Sequence, residues 1–162
     1  MTIEIKAENR PQKFRQSVIL CTDQGYLPFA SLAIHTLLRN NPVRDYDICI
    51  ASLDALDMPA ELRAHDIRLC QIDVGDAFDG MPVSKRFSIA AYLRIALPEA
   101  FQGQYDRIVY LDCDIFVIGD AFSKIFQLDL QGRPVGACND CAKWKHRNNP
   151  TGDQRALGIN GP

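Results

Sequence analysis

Nothing in the 162-residue chain is apolar for long enough to span a bilayer, and the opening Met-Thr-Ile-Glu-Ile-Lys-Ala-Glu-Asn-Arg lacks the apolar centre of a secretory leader. The expected compartment is the cytoplasm. An excess of one charge is missing too: 18 basic against 20 acidic side chains leave a net −2, so no global field recruits nucleic acid and specificity must be local. A glycine-rich nucleotide loop is absent. The turn after the first apolar run, Cys21-Thr22-Asp23-Gln24-Gly25-Tyr26, has one glycine and is neither Gly-x-Gly-x-x-Gly nor a P-loop, which argues against dinucleotide hydride transfer and P-loop ATP hydrolysis. Zinc lacks ligands: Cys138-Asn139-Asp140-Cys141 is half a knuckle, and neither a second pair nor a well-spaced histidine completes it. Cys21, Cys49, Cys70 and Cys138 lie in or beside apolar runs, where reduced thiols act as small buried hydrophobes. There is no internal repeat and no low-complexity tract.

What is present is the length of one domain, 47% hydrophobic residues and an alternation of strand-like and helix-like segments. That alternation predicts an α/β fold, a mostly parallel sheet flanked by helices. The runs at 17–22, 46–51, 68–73 and 107–111 read as strands, and Pro134 begins a further one reaching Cys138. Pro28 suits the first turn of a helix carrying Leu32, Ala33, Leu37 and Leu38 on one side. A short helix is expected over 60–64, started by Asp57 or Pro59, and another over 122–126. After a loop at 75–82, a helix over 88–96, capped by Ser88, brings Tyr92 and Arg94 near the strand ends. The polar residues 1–16 are expected to be flexible, and 17–162 to form the domain.

The stretch richest in chemistry is Arg107-Ile108-Val109-Tyr110-Leu111-Asp112-Cys113-Asp114, where an apolar strand delivers two carboxylates, one residue apart, to its carboxyl end. Ligands of open α/β sheets bind beyond those ends, and Mg²⁺ or Mn²⁺ takes a few carboxylate oxygens together with substrate phosphate oxygens. Two neighbouring carboxylates repel unless something positive lies between them. A solvated strand-end turn has the same look, and Arg94 could be a structural partner for either aspartate. In the first turn, Asp23 can accept hydrogen bonds from a base or ribose and Tyr26 can stack on a base; a helix cap and a packing ring are the plainer roles.

Four ordered blocks carry a resemblance: Asp23-Gln24-Gly25-Tyr26, Ser88-Ile89-Ala90-Ala91-Tyr92-Leu93-Arg94, Tyr110-Leu111-Asp112-Cys113-Asp114-Ile115-Phe116-Val117 and Gly136-Ala137-Cys138-Asn139-Asp140. Together they resemble glycosyltransferase family 8, in particular its bacterial lipopolysaccharide glucosyl- and galactosyltransferases. The resemblance implies a GT-A fold and retaining transfer from a UDP-sugar, UDP-glucose or UDP-galactose, to a saccharide or lipid-linked acceptor such as lipopolysaccharide core. It implies a Mn²⁺ or Mg²⁺ ion held by Asp112 and Asp114, with Asp23, Tyr26, Arg94 and Asp112 around the donor and Arg94 and Asp140 as the catalytic candidates. Where this chain has Gly25 the family often has Asn.

The family's acceptor site and a third metal ligand, a His, lie beyond a segment like Leu157-Gly158-Ile159-Asn160-Gly161-Pro162. The chain is therefore expected to correspond to the donor-binding half. By itself it would be inactive and prone to self-association through an exposed sheet edge, and the full-length protein would sit at the periphery of the inner membrane. The other readings are an Asp-x-Asp phosphohydrolase and a sugar-nucleotide-binding fragment without turnover. Phe116, two residues past the second Asp, departs from the phosphohydrolase pattern, which usually has Thr or Val there.

Overall fold

The computed structural model describes residues 2–82 and 89–138. Two compact units divide the chain, residues 1–128 and 129–162. The first is built on strands β1 (Glu4–Glu8), β2 (Gln16–Cys21), β3 (Asp47–Ser52), β4 (Ile67–Asp73) and β5 (Arg107–Tyr110), in the spatial order β1-β4-β3-β2-β5. Strands β4, β3, β2 and β5 run parallel, and β1 joins β4 antiparallel. The chain lays β3 and β4 on one side of β2 and returns with β5 on the other. Between β2 and β5 the strand order reverses, the switch point beyond which open α/β sheets bind their ligands.

Both faces of the sheet are covered, which explains why its strands read as continuous apolar runs. In β2, Val18 and Leu20 face helix α1 (Leu27–Asn40), whereas Ile19 and Cys21 face helix α3 (Leu93–Ala100). Helix α1 carries Pro28 in its first turn, where the missing N–H costs nothing, and buries Leu27, Ala30, Ala33, Ile34 and Leu37. Leu32, expected on the buried side, is 46% exposed because its position falls outside that stripe. The short helix α2 (Ala60–Arg63) follows Pro59, as expected. The helix expected over 88–96 is instead a 3-10 turn, Ile89–Tyr92, that leads into α3. Leu93, Ala96, Leu97 and Ala100 continue the apolar period past the expected end. Ser88 lies outside the described residues. A 3-10 helix, Phe122–Gln127, occupies the place of the expected fourth helix.

Residues 2–16 are not simply a flexible lead. β1 pairs with β4 from Glu4↔Asp73 to Glu8↔Cys70, and the Asn9 side chain accepts from the Leu69 N–H (2.8 Å). The backbone N–H groups of Lys13 and Phe14 donate to Asp47 Oδ2. β4 would otherwise be an open edge, and a polar sequence with Ile3 and Ile5 packed on the core suits a strand that closes it. Among the described residues β5 is the last strand on the other side.

In the second unit a turn closes through the Arg133 N–H donating to the Leu130 carbonyl (3.0 Å), with Gln131 and Gly132 at positive φ. The strand expected over 134–138 does not form. Pro134 has no N–H to give, and among the described residues no neighbouring strand pairs with the segment. No helix among the described residues is long and apolar enough to cross a membrane.

Candidate functional site

The switch point is flanked by the segments leaving β2 and β5. Those strands pair up to Ile19↔Tyr110, the Leu111 N–H continues the ladder to the Ile19 carbonyl (3.0 Å), and the Cys113 thiol donates to the Cys21 carbonyl (3.2 Å). The residues after β5 are thereby stitched to the end of β2. Cys113 is buried at the start of a turn and the aspartates on either side of it, Asp112 and Asp114, are both exposed. Burial pushes the Cys21 thiol up to about 12 and the Cys113 thiol up to about 11. Both stay protonated and form a neutral floor beneath the carboxylates.

Asp112 has two companions. Its Oδ1 accepts the Tyr110 hydroxyl at 2.6 Å and stands 3.7 Å from Arg94 Nη1. The guanidinium lies over the Tyr110 ring, 5.1 Å from its centroid, while Arg94 Nε donates to the Ala91 carbonyl (2.8 Å). Arg94 and Asp112 are about half exposed, so the pair is weak and can be exchanged for another anion. Tyr110 holds its proton more tightly than a free phenol, first through burial and then through the bond to Asp112. The hydroxyl thus keeps the proton that it donates to Asp112.

The turn after β2 is equally ordered. Asp23 Oδ1 accepts the Tyr26 N–H (2.9 Å), and Gln24 Oε1 accepts the Asp57 N–H (2.9 Å), tying the turn to the segment that follows β3. Tyr26, 52% exposed, leans on Phe29, 50% exposed, with ring centroids 4.9 Å apart. Two half-exposed aromatic rings just beyond the end of β2 offer an apolar surface on which a planar base can stack.

The structure therefore gathers Arg94, Asp112 and Asp114 on the β5 side and sets Asp23 and Tyr26 at the neighbouring strand end. Asp140 lies outside the described residues. Tyr92 is a packing residue, its hydroxyl donating to the Pro82 carbonyl (2.6 Å) and its ring 6.1 Å from Phe78. His35 is exposed on α1. Sequence reasoning missed Tyr110 and Phe29 as members of the site. The period-two signal was there for Tyr110, since residues i and i+2 of an extended chain share a face.

Among the described residues no three His, Cys, Asp or Glu side chains converge. Two hard carboxylates suit a cation that also takes phosphate and water oxygens.

A family model described as glycosyl transferase family 8 matches residues 17–156. The glycosyltransferase GlyF of Streptococcus pneumoniae serotype 4 is 30% identical over 140 residues, covering 82% of this chain and 34% of GlyF. The crystal structure of the galactosyltransferase LgtC in complex with donor and acceptor sugar analogues superposes with a TM-score of 0.68 at 20% identity, over 88% of this chain and 51% of LgtC. The LgtC active-site mutant Q189E gives 0.67 at 21%. The likeness to LgtC shows the fold to be GT-A. The chain spans about a third of GlyF and half of LgtC.

Proposed function

The chain belongs to glycosyltransferase family 8, and on that premise we propose that it carries the donor-binding part of a retaining, UDP-hexose-dependent glycosyltransferase. The transferred sugar would be glucosyl or galactosyl and the acceptor a saccharide or lipid-linked sugar such as lipopolysaccharide core. The observation that carries this reading is the outward-facing pair Asp112 and Asp114 at the switch point, with the Arg94 cation 3.7 Å from one of them. A sugar nucleotide diphosphate needs positive charge around its phosphates and a flat surface for its base. Arg94 supplies charge and forked donors. Tyr26, backed by Phe29, supplies the surface.

Asp112 and Asp114 would hold Mn²⁺ or Mg²⁺, which when bound serves as a Lewis acid that neutralises charge on the departing diphosphate. Arg94 keeps its Nη groups turned to solvent and anion while Nε is spent on Ala91. The Asp23 oxygen that does not cap Tyr26 can accept from ribose or base. Asp140 is assigned to the sugar or acceptor side by the family pattern alone.

Calorimetry of UDP, UDP-glucose, UDP-galactose and GDP-mannose, with and without Mn²⁺, tests the reading. It predicts uridine nucleotides tightened by Mn²⁺ and no comparable gain for GDP-mannose. Binding blind to both base and metal would contradict it and would favour the phosphohydrolase or another site.

A further inference from the structure

The two oxygens of Asp112 are in unequal circumstances. Both neighbours, the Tyr110 hydroxyl at 2.6 Å and Arg94 Nη1 at 3.7 Å, address Oδ1. Among the described residues no donor is hydrogen-bonded to Oδ2. A carboxylate on an exposed strand end would otherwise turn freely and offer either oxygen, or close onto the nearby guanidinium. Here a phenol held against the α3 side of the core fixes it by one bond. The same ring carries the Arg94 guanidinium on its face, and the Nε bond to Ala91 restrains the arginine from behind. At 3.7 Å the arginine is near enough to offset repulsion between the aspartates, yet beyond hydrogen-bond distance.

We propose that Tyr110 is a positioning residue of the donor site: its hydroxyl occupies Asp112 Oδ1 so that Oδ2 is presented to the divalent cation, and its ring holds Arg94 beside the carboxylate without letting the two close. The inference rests on the donor-site reading given above. Partners that orient a metal-binding carboxylate lower the cost of ordering it, and their loss weakens metal binding about 10- to 100-fold. A residue that merely packed would act through its ring and leave the metal untouched when only the hydroxyl is removed.

Tyr110→Phe separates the two roles, because it keeps the ring under Arg94 and removes the bond to Asp112. Mn²⁺ binding is read from the loss of the free-ion electron paramagnetic resonance signal in the presence of UDP, and UDP affinity by calorimetry with and without the metal. The variants are Tyr110→Phe, Tyr110→Leu and Asp112→Asn, each with a melting curve. Tyr110→Phe is expected to bind Mn²⁺ about tenfold more weakly, with metal-free UDP affinity and melting unchanged. Tyr110→Leu is expected also to lose about threefold in metal-free UDP affinity, as Arg94 loses its support. Should Tyr110→Leu fail to fold, Tyr110→Phe decides alone. Parent-like Mn²⁺ binding by Tyr110→Phe, with Asp112→Asn impaired, overturns the proposal and leaves the site standing. Parent-like binding by Asp112→Asn as well overturns both.

Discussion

At the scale of single residues, the site works by dividing the duties of polar atoms. Asp23 spends one oxygen on the Tyr26 N–H and Asp112 spends one on Tyr110, and among the described residues no donor is hydrogen-bonded to the other oxygen of either. Tyr26 is held in place by Phe29 and by the capped turn, so little side-chain freedom remains to be lost when a base lands on it. Tyr26→Ala should therefore weaken UDP binding by about 1–3 kcal/mol, and Phe29→Ala by about 1 kcal/mol, both measured calorimetrically on folded protein. Unchanged affinity in Tyr26→Ala would return it to the packing residues. The carboxylate pair was legible in the sequence because an apolar strand ending in Asp-x-Asp has few structural uses. Phe29 was not, since one aromatic in an amphipathic helix looks like core until the helix phase is known, and that phase was set by Ala30, Ala33 and Ile34.

At the scale of elements, the strands were readable almost residue by residue, whereas β1 was not. Its sequence Glu-Ile-Lys-Ala-Glu is as polar as a loop, and it becomes a strand only because β4 offers an edge and Arg68 an anchor. Arg68 is almost wholly buried. It donates to the Glu8 carboxylate and to the Tyr105 hydroxyl, and through Nε to the Arg10 carbonyl (3.2 Å) and Nη2 to Gln104 Oε1 (3.1 Å). Tyr105 in turn donates to Asp47 (2.9 Å), the residue that also fixes Lys13 and Phe14. One guanidinium thus joins β1, the segment after it and the end of α3's following turn, far along the strands from the switch point. Arg68→Ala should cost about 3 kcal/mol in urea denaturation, because it strands buried hydroxyl, amide and carboxylate partners. The folded fraction should bind UDP as the parent does. A loss below about 1 kcal/mol would mean that β1 is held by its ladder alone. Thr36, Asn40 and Asn41 do similar work at the end of α1, bonding the backbone of Val117, Gly119 and Phe122 and so fixing the chain that leaves Asp114.

At the scale of the whole molecule, the α/β class followed from alternation, but the strand order did not, since periodicity says which face is buried and nothing about which neighbour lies beside it. The reversal between β2 and β5 is what sets Asp23 and Tyr26 beside Asp112 and Asp114 although nearly ninety residues separate them, and only the register of the sheet reveals it. Burial in the same sheet has a pH signature. The Cys21 thiol and the Tyr46 hydroxyl are each pushed up to about 12 by burial, from ordinary values of 9.0 and 10.0. The unfolded chain releases these protons first, so their contribution to stability is whole below pH 9 and is lost as pH rises towards 12. Unfolding free energy should fall over that window, less steeply in Tyr46→Phe; a flat profile from pH 9 to 11 would contradict the burial of both groups. The central claim is that the carboxylate pair makes nucleotide binding metal-dependent. The most direct measurement is UDP affinity with and without Mn²⁺ for the parent, Asp112→Asn and Asp114→Asn, alongside their melting curves. Each substitution should weaken Mn²⁺-supported UDP binding by at least about tenfold while leaving metal-free binding and folding nearly unchanged, because the two charges repel one another without the cation. Parent-like gain from Mn²⁺ in both variants would contradict the account.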